Sequence, residues 1–108
     1  MIRFDDMPEE VIPQFRGGKG DFFAKMFFDG ENRIMKGRLA CGSSIGLHTH
    51  DTSSEIIYIL SGTATFILDG AEEVLSAGDC HYCKKGSAHT LMNRHADDLV
   101  FFAVVPRQ

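Results

Sequence analysis

No stretch of this chain keeps apolar residues at helical spacing for three turns; short β-forming runs follow one another instead, parted by turn residues. The runs are Phe22 to Phe28, Arg33 to Cys41, Ile45 to His50, Glu55 to Leu60, Thr63 to Leu68, Glu73 to Leu75, Cys80 to Cys83, Ala88 to Asn93 and Leu99 to Val105. Asp29-Gly30, Asp69-Gly70 and the bend at Gly42-Ser43-Ser44 supply reversals, and Asp-Gly favours tight hairpins. A chain of 108 residues suits one core and is too short for two. Many short antiparallel strands in so small a domain bury an apolar face as a sandwich or a barrel, so the expected fold class is all-β. Residues 1–20 read differently. Pro8 and Pro13 interrupt them, Val11, Ile12 and Phe15 offer apolar contacts, and Gly17-Gly18-Lys19-Gly20 is flexible. They form an N-terminal arm, packed on the domain of residues 21–108 or on a partner subunit.

The remaining bulk properties narrow the function classes. Hydrophobic residues make up 44% and charged residues 24%, a globular composition. The net charge is -4 and Lys and Arg form no cluster, so nucleic acid is not an expected partner. No apolar run approaches the roughly 20 residues that cross a bilayer, so no membrane partner is expected either. The acidic start MIRFDDMPEE lacks the apolar centre of a signal peptide, which makes a cytoplasmic location the expectation. Three cysteines leave at least one unpaired, in keeping with a reducing compartment. Cys80 and Cys83 have CxxC spacing, but on an extended segment residues three apart face opposite ways, so a structural role is expected.

The chemistry concentrates in GLHTHDTSSEIIYIL, Gly46 to Leu60. On a strand, alternate side chains share a face, so His48 and His50 project together. Asp51 to Ser54 turn the chain, and Glu55 opens the returning strand on the face of Ile57 and Ile59. Tyr58 then looks the other way and becomes packing or interface material. Two imidazoles and one carboxylate make up the set that holds a divalent metal with positions left open.

Beyond these residues the sequence resembles the cupin superfamily. The first cupin motif, Gly, HxH, Glu, Gly, runs through Gly42, His48, His50, Glu55 and Gly62 with its spacing met. The second resembles Gly78 to Asn93, with Gly78, Gly86, His89 and Asn93 at the motif positions and Lys84 where proline is usual. The resemblance implies a double-stranded β-helix (jelly-roll) barrel of the cupin type. It also implies His89 as the fourth ligand, beside His48, His50 and Glu55, to one divalent transition metal: Fe, Mn, Ni, Zn or Cu. Cupin relatives include dioxygenases, isomerases, lyases, decarboxylases and proteins that only bind small ligands.

Neutral imidazoles and one carboxylate leave a divalent site near +1, suited to a small oxygen-rich or carbonyl-bearing ligand. Ile57, Ile59 and Leu91 share the ligands' faces, and Phe66 or Phe101 can close the far end, which makes the cavity mainly apolar. Lys36 and Arg38 are the candidate cations for a phosphate. The balance leans to dioxygenase-like chemistry. The alternatives are a non-oxidative isomerase, lyase or decarboxylase on the same site, or a ligand-binding module without turnover. Glu55 is the evident general base, with His81 or Tyr82 as further catalytic candidates should strand parity turn either inward. His95 sits in a polar turn and is expected to be solvated. Finally, Val100, Phe102 and Val104 give the last strand a second apolar face, so a homodimer is expected unless residues 1–16 cover it.

Overall fold

The computed structural model describes residues 1–108 as ten antiparallel strands in two sheets. The strands are β1 (Glu10–Pro13), β2 (Asp21–Phe28), β3 (Asn32–Leu39), β4 (Ser44–Thr49), β5 (Glu55–Ser61), β6 (Thr63–Leu68), β7 (Ala71–Ser76), β8 (Cys80–Cys83), β9 (Ala88–Met92) and β10 (Leu99–Pro106). One sheet has the order β1-β2-β3-β10-β5-β8 and the other β4-β9-β6-β7. Each expected run corresponds to a strand from β2 to β10. The all-β expectation holds at the level of a two-sheet fold, and no helix is long and apolar enough to cross a membrane.

Strand β1 is the addition, inside what reads in sequence as an arm. Its four residues pair with β2, Val11 opposite Phe23 and Ile12 opposite Phe22. Two prolines so close together hide a strand signal, yet Pro13 sits at the end of an edge strand, where a missing N–H breaks little of the ladder. The chain then reverses through a tight turn at Phe15–Gly17 and lies against β4. Gln14 N–H donates to Gly20 O at 2.8 Å, Ser44 N–H to Lys19 O at 2.9 Å, and Lys19 N–H to Ser44 Oγ at 2.9 Å.

Two glycines permit this approach. A Cβ on Gly46 would stand 2.0 Å from Arg16 O, and one on Gly18 would stand 2.1 Å from Ser44 O. The segment therefore touches β4 backbone to backbone.

Alternation places the core. On β5, Glu55, Ile57 and Ile59 are buried while Ile56, Tyr58 and Leu60 are exposed; on β10, Leu99, Phe101 and Ala103 are buried. Inward residues of both sheets join one cluster of 14 buried side chains. Phe22 stacks on Phe101 at 5.9 Å, and Phe15 from the arm stacks on Phe22 at 5.5 Å. Burial of this apolar area is the main stabilising term. The Asp69–Gly70 hairpin has positive φ at both residues, 48° and 85°, as a tight type I′ turn requires. Asp69 also grips the start of β9: its N–H donates to Ala88 O and its carboxylate accepts from Ala88 N–H, both at 2.9 Å.

Candidate metal centre

The four expected ligands come from three strands and the turn after β4. His48 on β4 is the cross-strand neighbour of His89 on β9, while His50 follows β4 and Glu55 opens β5. Ile45 and His48 differ in parity, yet both serve the interior, because the β4–β9 register shifts between them. A bulge is the local device that re-aims a side chain in this way.

One ligand atom from each of His48, His50, Glu55 and His89 lies within 4.8 Å of all the others. Glu55 Oε1 is 3.1 Å from His50 Nε2 and 3.0 Å from His89 Nε2. His89 Nε2 is also 3.1 Å from His50 Nε2 and 3.2 Å from His48 Nε2. Adjacent ligands about 2.1 Å from an octahedral ion are separated by about 3.0 Å, so these contacts fit the edges of such a polyhedron.

The outer nitrogen of each ring is held as well. His48 Nδ1–H donates to Gly46 O at 2.8 Å, His50 Nδ1 lies 3.0 Å from Ser53 Oγ, and His89 Nδ1 lies 2.9 Å from His81 Nε2. Each ring thus keeps Nε2 for the common centre.

Burial pushes the Glu55 carboxyl up, but the His50 and His89 rings donating to it outweigh that and hold it at about 2. Burial pushes the His48 imidazole down, reinforced by neighbouring His89 and His50, against a hydrogen bond to Gly46 that raises it. Ionised carboxylate and neutral imidazole are the forms that ligate, and an ion displaces the protons such contacts share. The cluster is suited to one divalent transition metal.

Two spaces adjoin it. A cavity of about 30 Å³ reaches inward from His48, Glu55 and His89 between Phe15, Met35, Ile57, Leu91 and Phe101. A cleft of about 240 Å³ opens outward over His48, His50 and Glu55, with Arg16, Arg33 and Asp51 on its rim. Arg33 shares the inward row of β3 with Met35, and neither Arg16 nor Arg33 is in a salt bridge. The sequence reading did not single out this pair, because Arg16 arrives on the arm and Arg33 just precedes Ile34 at the end of a strand. Inward parity on β3 was the available signal for Arg33.

The other candidates lie elsewhere. Parity turns His81 inward and fully buries it; it lines neither space, and its ring stacks on Phe66 at 3.7 Å. Burial pushes the His81 imidazole down, with a hydrogen bond to Glu73 opposing. Tyr82 is 54% exposed on the opposite face of β8. Lys36 and Arg38 belong to the outer row of β3, and Arg38 is bound to Glu9 at 2.9 Å and Asp98 at 3.4 Å. Asn93 is buried but donates to Leu39 O and Asp97 O, both at 2.9 Å, so it ties loops and not a ligand. His95 is exposed. Cys80 is exposed and Cys83 buried, on opposite faces, and burial pushes the Cys83 thiol up to about 11.

A family model described as "Cupin domain" matches residues 35–105. A Thermotoga maritima protein described as "Oxalate-binding protein" is 34% identical over 111 residues, covering 97% of this chain and 92% of that one. A crystal structure from Thermotoga maritima, described as a predicted oxalate decarboxylase, superposes with a TM-score of 0.93 at 32% identity, covering 100% of this chain and 99% of the other. An RmlC-like cupin from Shewanella frigidimarina superposes at 0.83 with 18% identity, covering 100% and 90%, a likeness of fold alone.

Proposed function

The chain belongs to the cupin family, and on that premise we propose that His48, His50, Glu55 and His89 hold one divalent transition metal whose open side captures a small dicarboxylate of the oxalate class. The convergence of three Nε2 atoms and one carboxylate oxygen, each ring fixed through Nδ1, carries this reading. When bound, the ion supplies a Lewis-acid anchor for carboxylate oxygens. Arg16 and Arg33 on the rim give an incoming dianion two guanidinium groups that no salt bridge engages. The inner cavity holds little more than a water, which keeps the ligand small and at the cleft. The same premise supports reading the two sheets as walls of a closed double-stranded β-helix.

Capture without turnover fits this chain better than the dioxygenase-like chemistry towards which the sequence leans. Turnover needs a proton donor or acceptor beside the ligand, and Glu55 is itself committed to the centre. His81 lies behind it and Tyr82 on the outside, which leaves Asp51 on the rim as the remaining carboxyl beside the cleft. Non-oxidative decarboxylation is the second reading, supported by the Thermotoga maritima structure described as a predicted oxalate decarboxylase, with Asp51 on the rim as the proton donor.

Calorimetry on manganese- and zinc-loaded protein is expected to show oxalate binding at least about tenfold tighter than acetate, as two-point attachment requires. No carbon dioxide should evolve and no oxygen should be consumed. Carbon dioxide release would favour decarboxylation, oxygen uptake would restore dioxygenase-like chemistry, and equal binding of oxalate and acetate would sink the dicarboxylate reading.

The partner is a second copy of this chain. Phe4 packs edge-on against Phe102 at 6.2 Å, so the arm covers part of the outer sheet face. Ile56, Tyr58, Leu60 and Tyr82 remain 39–54% exposed beyond it, and Ile56 is the cross-strand neighbour of both Val104 and Tyr82. A continuous apolar surface of this kind marks a contact site. Light scattering is expected to find a dimer, with Tyr58→Glu giving a folded monomer. A monomeric parent at micromolar concentration refutes the interface.

A further inference from the structure

Behind the metal cluster, a buried chain of hydrogen bonds leads from the molecular surface to a ligand. Glu73 shares the inward row of β7 with Leu75 and is half-exposed. Its Oε1 lies 2.5 Å from His81 Nδ1, and His81 Nε2 lies 2.9 Å from His89 Nδ1. The His81 ring is fully buried, parallel to Phe66 within 8° and to His89 within 13°.

We propose that Glu73 and His81 form a relay that sets the tautomer and aim of His89, making His81 a positioning residue for the metal centre. The directions follow from donor chemistry. A carboxylate only accepts, so the proton between Glu73 and His81 is carried on His81 Nδ1. His81 Nε2 is then bare and accepts. The proton between the rings therefore belongs to His89 Nδ1, and the proton that His89 Nε2 shares with Glu55 is the one an ion displaces, so that Nε2 faces Glu55, His50 and His48 as a ligand once metal is bound. The other rings show the contrast: His48 is fixed by a single backbone carbonyl and His50 lies beside a serine hydroxyl. His89 alone is tied through a second imidazole to a carboxylate, and that carboxylate comes from the opposite sheet to β8. Phe66 holds the middle ring so that it cannot turn without losing the stack.

The inference rests on the metal reading, but two measurements separate their fates. In zinc-loaded wild-type protein at pH 8, long-range proton–nitrogen correlation NMR should show Nδ1–H on both His81 and His89, and the metal-free protein should keep Nδ1–H on His81. An Nε2–H tautomer at His81 overturns the relay whatever the protein does with metals. The second measurement is zinc affinity by chelator competition. His81→Phe keeps the stack and the volume but removes the acceptor, and it should weaken zinc binding by about 10–100-fold. His81→Gln, whose amide oxygen can stand near the position of Nε2, should recover part of that loss, and Glu73→Gln should cost less than His81→Phe. Equal zinc affinity in wild type and a folded His81→Phe protein overturns the proposal. A wild type that binds no zinc sinks the metal reading and leaves the His81 tautomer of the metal-free protein to decide the relay.

Discussion

Replacing His89 with alanine is expected to weaken retention of a divalent ion by at least about a hundredfold, beyond what loss of an outer partner costs. His89 Nε2 is the hub of the cluster, within 3.2 Å of His48 and His50 and 3.0 Å of Glu55. Its loss removes a ligand and takes from a buried carboxylate one of its two imidazole partners. Metal analysis of protein purified without an affinity tag should find close to one ion per chain in the wild type and little in His89→Ala. His48→Ala should lower retention as well. Full retention in both variants would reject the four-ligand assignment.

The second large effect belongs to a residue with no chemistry. Gly46→Ala places a methyl 2.0 Å from Arg16 O and 2.9 Å from Gly18 N, so backbone and not a yielding side chain must move. The arm lifts from β4, and Phe15 leaves its stack on Phe22 over the inner cavity. Overpacking of this kind costs about 1–3 kcal/mol. A denaturant melt should register that loss, and trypsin should cut faster after Arg16 and Lys19. Unchanged stability together with unchanged cleavage would show that the segment does not rest on β4.

What the sequence revealed and what it hid have one physical origin. Period-two alternation is local, so it places His48 with His50, Glu55 with Ile57, and His89 with Leu91 before any fold is known. It also turns Tyr58 outward, as β5 shows. It says nothing about which strands become neighbours. The meeting of Glu73 with His81 requires β7 and β8, in different sheets, to come together, with Phe66 stacked on the His81 ring. The bulge after Ile45 is invisible for a related reason: an inserted residue breaks the alternation by which faces are assigned. In the arm, the glycines read as a flexible turn, whereas Gly18 is required by contact with a strand 26 residues later in number, at Ser44.

The pairing of His48 with His89 across 41 residues of chain also ties the cluster to folding itself. An unfolded chain keeps only short-range sets such as His48 with His50 or Cys80 with Cys83 as chelates, so an ion that needs His48, His50, Glu55 and His89 together discriminates between native and denatured ensembles. Mass action then converts free-ion concentration into native-state stability, about 2.7 kcal/mol at a hundredfold excess over the dissociation constant. Because this contact joins distant segments, it forms with much of the loop-closure entropy already lost, and the ion gains its full grip only late in folding. An ion bound at this centre therefore resists unfolding more than it hastens folding.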